Sequence, residues 1–337
     1  MNHFPRRVFC VLPLLLLALA SVPALAASLF QDGLEDPASG AVDWLSDEFD
    51  NPASLSDFQR VWRRENWPFD QLQLQAIGQV PGRLTMQPHS SGWYEDYRGE
   101  LTYKELSGDV VATTLVYPRN AAGTGAPGST QGGPFGSEYS LAGLMLRAPR
   151  REVEAANANW VRGREAYVFL SMGAAHDPGV YQFEDKSTRF ASTPGGNSVS
   201  NLLVTNAPPG ANAAYLRLVR VGPHVILLIQ PVGGASTGWQ VLRRFHRSDF
   251  PERLQLGFVT YTDWATMQNC SYEFHNHNLL AQSCGPSPQP ADPDLNAGFE
   301  FLRVARPQVP APFVGADFSN PAAVSDAQLL ALFGFAP

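Results

Sequence analysis

Residues 215–245 read YLRLVRVGPHVILLIQPVGGASTGWQVLRRF. Three short runs, Tyr215–Val221, Val225–Pro231 and Gln240–Phe245, are separated by the turn formers Gly222-Pro223 and Gly233-Gly234. Apolar and aromatic runs of roughly five to nine residues, bounded by Gly and Pro, have the length and chemistry of β-strands. The middle run, Val225-Ile226-Leu227-Leu228-Ile229, is apolar on both faces. It is therefore expected centrally or beneath a covering segment, because an antiparallel strand with one wet face alternates.

The same pattern extends outward in both directions. Upstream, strands are expected at Leu72–Ala76, Arg83–Gln87, Leu101–Leu106, Val110–Tyr117, Leu141–Arg147, Tyr167–Met172, Tyr181–Thr188 and Ser200–Thr205. Downstream they are expected at Leu254–Thr262 and Phe299–Ala305. No long helical period separates them, which excludes βαβ architecture. About thirteen strands in one region predict an all-β, antiparallel two-sheet β-sandwich of the jelly-roll type. Residues 119–137, rich in Gly, Ala and Pro, read as a long excursion, and 149–164 as a polar connection with a helical turn near 152–158. After Arg306 the prolines Pro307, Pro310 and Pro312 make an extended arm. A short C-terminal helix then starts at Ser325, with Gln328 placed for a capping box and Leu329, Leu332 and Phe333 as its apolar stripe.

Within this frame, GRLTMQPHSSGWYEDYRGELTYKELSGDVVATTLV (82–116) resembles the opening of the concanavalin A-like lectin/glucanase domains of secreted bacterial proteins, including the DUF1349 group. SLAGLMLRAP (140–149), the 215–245 segment, LQLGFVTYT (254–262) and FEFLRVARP (299–307) are similar to later strands of that group, in the same order. The resemblance spans about 47–307 and implies the jelly-roll fold. It leaves function open, because such folds carry lectins, hydrolases, lyases and modules without activity.

The N-terminus has Arg6-Arg7, an apolar run from Val8 to Leu19 and Ala24-Leu25-Ala26, the three parts of a cleaved export signal. The expected organisation is a signal peptide (1–26), a leader (27–45), the jelly roll (46–307) and the arm with its helix (308–337). Of 24 Lys and Arg, two fall in the signal, leaving 22 against 31 Asp and Glu, a net charge of −9. That excess argues against nucleic acid and anionic membrane as partners. No later segment is long and apolar enough to span a bilayer. Cys270 and Cys284 are the two cysteines beyond the signal, and in an oxidising compartment an even pair predicts a disulfide.

The candidate site is read from four places. On the Tyr181–Thr188 strand, Gln182, Glu184, Lys186 and Thr188 share one face, a polar row that either lines a ligand groove or is an ordinary solvated face. Arg147 shares its face with Gly143, which leaves room for a guest near the backbone; it either hydrogen-bonds a ligand or pairs with Glu184 or Glu105. Trp93, Tyr94 and Asp96, in GWYEDYRG, combine aromatic faces with charge as sugar sites do, although such a tryptophan also serves as the plug of a sandwich. His275-Asn276-His277 has no third ligand, so no metal site is expected. Calcium held by scattered carbonyls would leave no readable pattern. No E-x-D-x-x-E strand, the glucanase carboxylate arrangement, occurs. The expected function is therefore a secreted, non-catalytic carbohydrate-binding module with a polysaccharide or glycan partner and no cofactor. The alternatives are a glycoside hydrolase or lyase with an unusual acid/base pair, and a structural or protein-interaction domain.

Overall fold

The computed structural model describes residues 42–122, 138–177, 179–234 and 238–336. The stretch expected to be a signal, most of that expected to be a leader and most of the expected 119–137 excursion lie outside the described residues. In chain order the strands are β1 (Gln59–Arg60), β2 (Leu72–Ile77), β3 (Leu84–Pro88), β4 (Glu100–Ser107), β5 (Val110–Arg119), β6 (Ser140–Arg147), β7 (Tyr167–Ala174) and β8 (Gln182–Arg189). They continue with β9 (Val199–Asn206), β10 (Ala213–Val221), β11 (His224–Val232), β12 (Gln240–His246), β13 (Arg253–Tyr261), β14 (Asn296–Phe299) and β15 (Arg303–Ala305). Among the described residues five short α-helices lie between or after them: α1 (Val61–Arg64), α2 (Arg151–Ala155), α3 (Trp264–Met267), α4 (Tyr272–His277) and α5 (Asp326–Phe333).

The strands form two antiparallel sheets, a jelly-roll sandwich with a short C-terminal helix. One sheet has seven strands in the order β1-β4-β13-β6-β7-β8-β9. The other has eight: β12-β11-β10-β5-β14-β3-β2 in order, and β15, which pairs with β5 off that path. Partners distant in sequence, β4 with β13 and β5 with β10, tie the two ends of the domain together. The run expected as one strand, Phe299–Ala305, is instead split into β14 and β15. Between them the Leu302 backbone exchanges two 2.7 Å hydrogen bonds with Asp47, which takes it out of the ladder.

Alternation decides what faces what. Ala142, Leu144 and Leu146 of β6 point into the sandwich, against Leu216, Leu218, Val225, Leu227 and Phe299 of the other sheet. Leu141 and Met145 point the other way, into a second cluster with Trp93, Tyr103, Tyr167, Phe169 and Tyr261. Val42 and Leu45, in the stretch read as a leader, are buried in the main core. Ile226 and Leu228 of β11 lie under the C-terminal tail, against Phe318, Val324, Leu329 and Phe333. This explains why that strand is apolar on both faces. The tail helix carries the expected box: Ser325 accepts from the Gln328 N–H and the Gln328 side chain accepts from the Ser325 N–H. Among the described residues no helix is long and apolar enough to cross a membrane.

Candidate functional site

The outer face of the seven-stranded sheet is not the wet surface that alternation alone suggests. Residues 91–98, α3 and α4 cover it, and Gln182, Glu184, Lys186 and Thr188 are 2, 0, 3 and 0% exposed. Burying such groups is tolerable only when they are paired and hydrogen-bonded. They are. The Lys186 ammonium lies 2.9 Å from Glu184 Oε1 and donates to the Trp93 carbonyl at 2.7 Å. The Tyr261 hydroxyl donates to Glu184 Oε2 at 2.6 Å and sits 2.7 Å from Ser171 Oγ. Burial, then the neighbouring Glu184 charge, pushes the Tyr261 phenol far above its ordinary pKa, so it remains a neutral donor. Burial lowers the Lys186 pKa, and Glu184 opposes that shift.

Above this floor is a cavity of about 240 Å³. Its walls include Trp93, Tyr94, Tyr139, Lys186, Tyr261 and Trp264. Each wall has a local cause. At the end of β13, Thr262 exchanges backbone hydrogen bonds with Ser91, fixing the start of the covering segment. Asp263 adopts φ +65° and caps α3 by accepting from the Thr266 N–H, which swings Trp264 over the sheet. Trp93 points inward, 1% exposed, its indole N–H on the Glu100 carbonyl at 3.0 Å and its ring edge-on to Tyr167. The next residue, Tyr94, meets Trp264 edge to face at 5.5 Å. Tyr139 lies 6.1 Å from Trp264, and its hydroxyl is 3.0 Å from His176 Nδ1.

Of the residues expected from sequence, Trp93, Tyr94 and Lys186 thus line the cavity, and Glu184 anchors its floor. The others are placed elsewhere. Gln182 Oε1 accepts from the backbone N–H groups of Ala175, His176 and Asp177. Thr188 bonds across to Ser200 at 2.7 Å. Asp96 accepts from the Gly163 N–H and from the N–H and hydroxyl of Ser198, pinning two loops. Arg147 pairs with neither Glu184 nor Glu105. It is fully buried between Glu65 (2.6 Å) and Glu165 (2.9 Å), and Arg150 also reaches Glu165. Burial opposes the Arg147 charge, but Glu165 and Glu65 more than offset that and hold its pKa above the ordinary arginine value. The room expected beside Gly143 is filled by the next strand, since a Cβ there would meet the Leu170 carbonyl oxygen at 1.9 Å.

His275 and His277 also part company. His275 is buried beside Asn276, its pKa lowered to about 4 chiefly by burial, whereas His277 packs edge-on to Trp67. The expected disulfide joins Cys270 to Cys284, with Cα atoms 5.0 Å apart. Sequence reading missed Tyr139, Tyr261, Trp264 and Met267. The available signal was Tyr261-Thr262-Asp263-Trp264, two aromatics around a capping aspartate at a strand end.

These features define a jelly-roll sandwich with an aromatic pocket on the covered face of one sheet. No family model matches the chain, and no curated protein matches it. Among solved structures it is similar to a functionally unknown protein from Saccharomyces cerevisiae (11% identity, TM-score 0.44), over 76% of this chain and 99% of that one. It is also similar to the κ-carrageenase from Pseudoalteromonas carrageenovora in complex with an oligotetrasaccharide (7%, TM-score 0.40), over 77% and 92%. Lectin II from Ulex europaeus matches at 7% and TM-score 0.37, over 78% and 99%.

Proposed function

We propose that this protein is an exported, non-catalytic carbohydrate-binding module that holds one sugar unit of a glycan in the pocket under Trp264. The single observation that carries this reading is the pairing of aromatic walls with a neutralised polar floor. Tyr94, Tyr139 and Trp264 offer ring surface to sugar C–H groups, and the Lys186 ammonium brings polar hydrogens to the same space, while the Tyr261 hydroxyl, its own hydrogen given to Glu184, offers an accepting oxygen. Lys186 is already balanced by Glu184, so the guest that fits is hydroxylated and uncharged. At about 240 Å³ the cavity falls just below the range of roughly 300–1,000 Å³ usual for larger ligands, which favours a single ring. The sequence resemblance to concanavalin A-like secreted domains agrees with this reading. So does the disulfide, which belongs to an oxidising compartment.

A glycosidase needs two carboxylates flanking the scissile bond. The described residues lining this pocket include none, and Glu184 is committed to Lys186 and Tyr261. That supports binding over cleavage. The test is a panel of neutral and acidic mono- and oligosaccharides, read by melting temperature and by release of reducing or unsaturated ends. A neutral sugar is expected to raise the melting temperature in the wild type, not in Trp264→Ala, and to be recovered intact. Product release that disappears in Glu184→Gln would replace this reading with the hydrolase or lyase one. No response to any sugar would leave a structural or protein-interaction role.

A further inference from the structure

The eight-stranded sheet carries a second cluster, away from the pocket residues. His224, the first residue of β11, stands directly opposite His246, the last of β12. Their rings lie 5.2 Å apart, edge to face. The C-terminal tail, returning over this sheet, brings Asp317 to them. Its Oδ1 lies 3.0 Å from His224 Nε2, and one ligand atom from each of the three lies within 4.8 Å of the other two. We propose that His224, His246 and Asp317 form a site for a divalent transition metal of the zinc class, which fastens the tail to the sandwich.

The donor set selects the metal. Two imidazoles and one carboxylate suit zinc and its neighbours, whereas calcium and magnesium take oxygen ligands throughout. Zinc binds nitrogen and oxygen at about 2.0–2.2 Å, so two ligands of a tetrahedral ion sit roughly 3.3 Å apart. The His224–Asp317 separation of 3.0 Å is close to that value, all three ligand atoms lie within 4.8 Å of one another, and small side-chain movements close the shell. Three protein ligands leave the fourth position to water.

The surroundings are those of a built site. The Ser319 N–H (2.9 Å) and hydroxyl (2.5 Å) both donate to Asp317 Oδ1 and orient the carboxylate, the role outer partners play around bound metals. Phe318 beside it is 1% exposed, in the cluster under the tail, and this fixes the backbone that presents Asp317. Arg244, two residues before His246 on β12, is paired with Asp326 and so does not oppose a cation with a free charge. His224 is 8% exposed, whereas His246 and Asp317 are open to solvent and give an ion a way in. A ligand set shared between sheet and tail couples metal binding to docking of the tail.

The test uses the exported chain made without a histidine tag and stripped with chelator. Zinc chloride is titrated by calorimetry and by melting temperature, cobalt(II) serves as the spectroscopic reporter, and calcium chloride is the control. One zinc per chain, a rise in melting temperature and slower proteolysis within 307–336 are expected. Cobalt should give the visible absorption of a low-coordinate site. His246→Ala and Asp317→Asn, both at exposed positions, should each weaken zinc binding by roughly tenfold or more while circular dichroism stays unchanged. The proposal is overturned if zinc does not bind in a one-to-one ratio, or if calcium stabilises as much as zinc. It also fails if both variants keep wild-type affinity, which would leave His224 and Asp317 as a plain ion pair.

Discussion

Lys186 and Glu184, two residues apart on the same face of β8, form a 2.9 Å ion pair with side chains 3% and 0% exposed. Removing one partner of such a pair strands the other charge without water, which costs on the order of 3–5 kcal/mol. Lys186→Met should therefore destabilise the fold by about that amount, and so should Glu184→Gln. The double variant Lys186→Met/Glu184→Gln should recover much of the loss, because neither charge remains. Urea denaturation of all four proteins measures the coupling. Additive losses would show that the pair is not a unit.

Asp185, between these two residues in sequence, faces the opposite way. It lies in the sandwich with Arg243 of the other sheet 3.6 Å from its Oδ1. Burial raises its pKa from 3.8 to about 7, with Arg243 opposing and Glu184 adding to the rise. The native state thus holds this proton more tightly than the unfolded chain does. Its contribution to stability is complete below about pH 4 and is lost as the pH rises to about 7. A shift of this size is worth on the order of a few kcal/mol. Asp185→Asn should flatten that decline and make the protein more stable than wild type near pH 8. Denaturation midpoints at intervals from about pH 4 to 8 check it, and an unchanged slope would reject Asp185 as the cause.

The strands were legible because period-two alternation and turn residues are local signals. Leu144 and Leu146 facing the core, with Met145 facing away, follow from residue order alone. The covering layer was not legible, because it is made of loops and of α3 and α4, four and six residues long, which carry no period. Without that layer, Gln182 to Thr188 read as a wet face. Polar character told which face they occupy but not what lies on it. The pocket was partly legible for the same reason. Trp93, Tyr94 and Lys186 stood out by composition, whereas Tyr139, Leu202, Tyr261 and Trp264 join them only through tertiary contacts.

Arg147 gives the clearest separation of structure from binding. It bridges Glu65 and Glu165 in a fully buried cluster and is absent from the pocket wall. Arg147→Met leaves two buried carboxylates short of their cation, so a loss of about 3–5 kcal/mol is expected. Sugar affinity, measured well below the melting temperature, should stay near wild type. A variant that keeps its stability but loses the sugar would return Arg147 to the binding site.

The disulfide, with Cys270 buried and Cys284 half-buried, should matter to the pocket as well as to the fold. Cys270 lies between α3, which carries Trp264 and Met267, and α4, and the Tyr97 hydroxyl donates to its carbonyl at 2.5 Å. Cys284 closes a loop with a sequence separation of 14. A loop of that length is worth roughly 3 kcal/mol through the entropy it removes from the unfolded chain. The Cys270→Ser/Cys284→Ser variant should lose about that much. Its extra hydrogen exchange should be concentrated in 264–284, where the packing is a small satellite cluster with Tyr97, Met267 and Leu280. Since Trp264 hangs from this segment, sugar affinity should fall as well, through a pocket wall that spends part of its time displaced. Uniformly faster exchange across β6, β7 and β13 would show instead that the bridge stabilises the whole sandwich and has no special hold on the site.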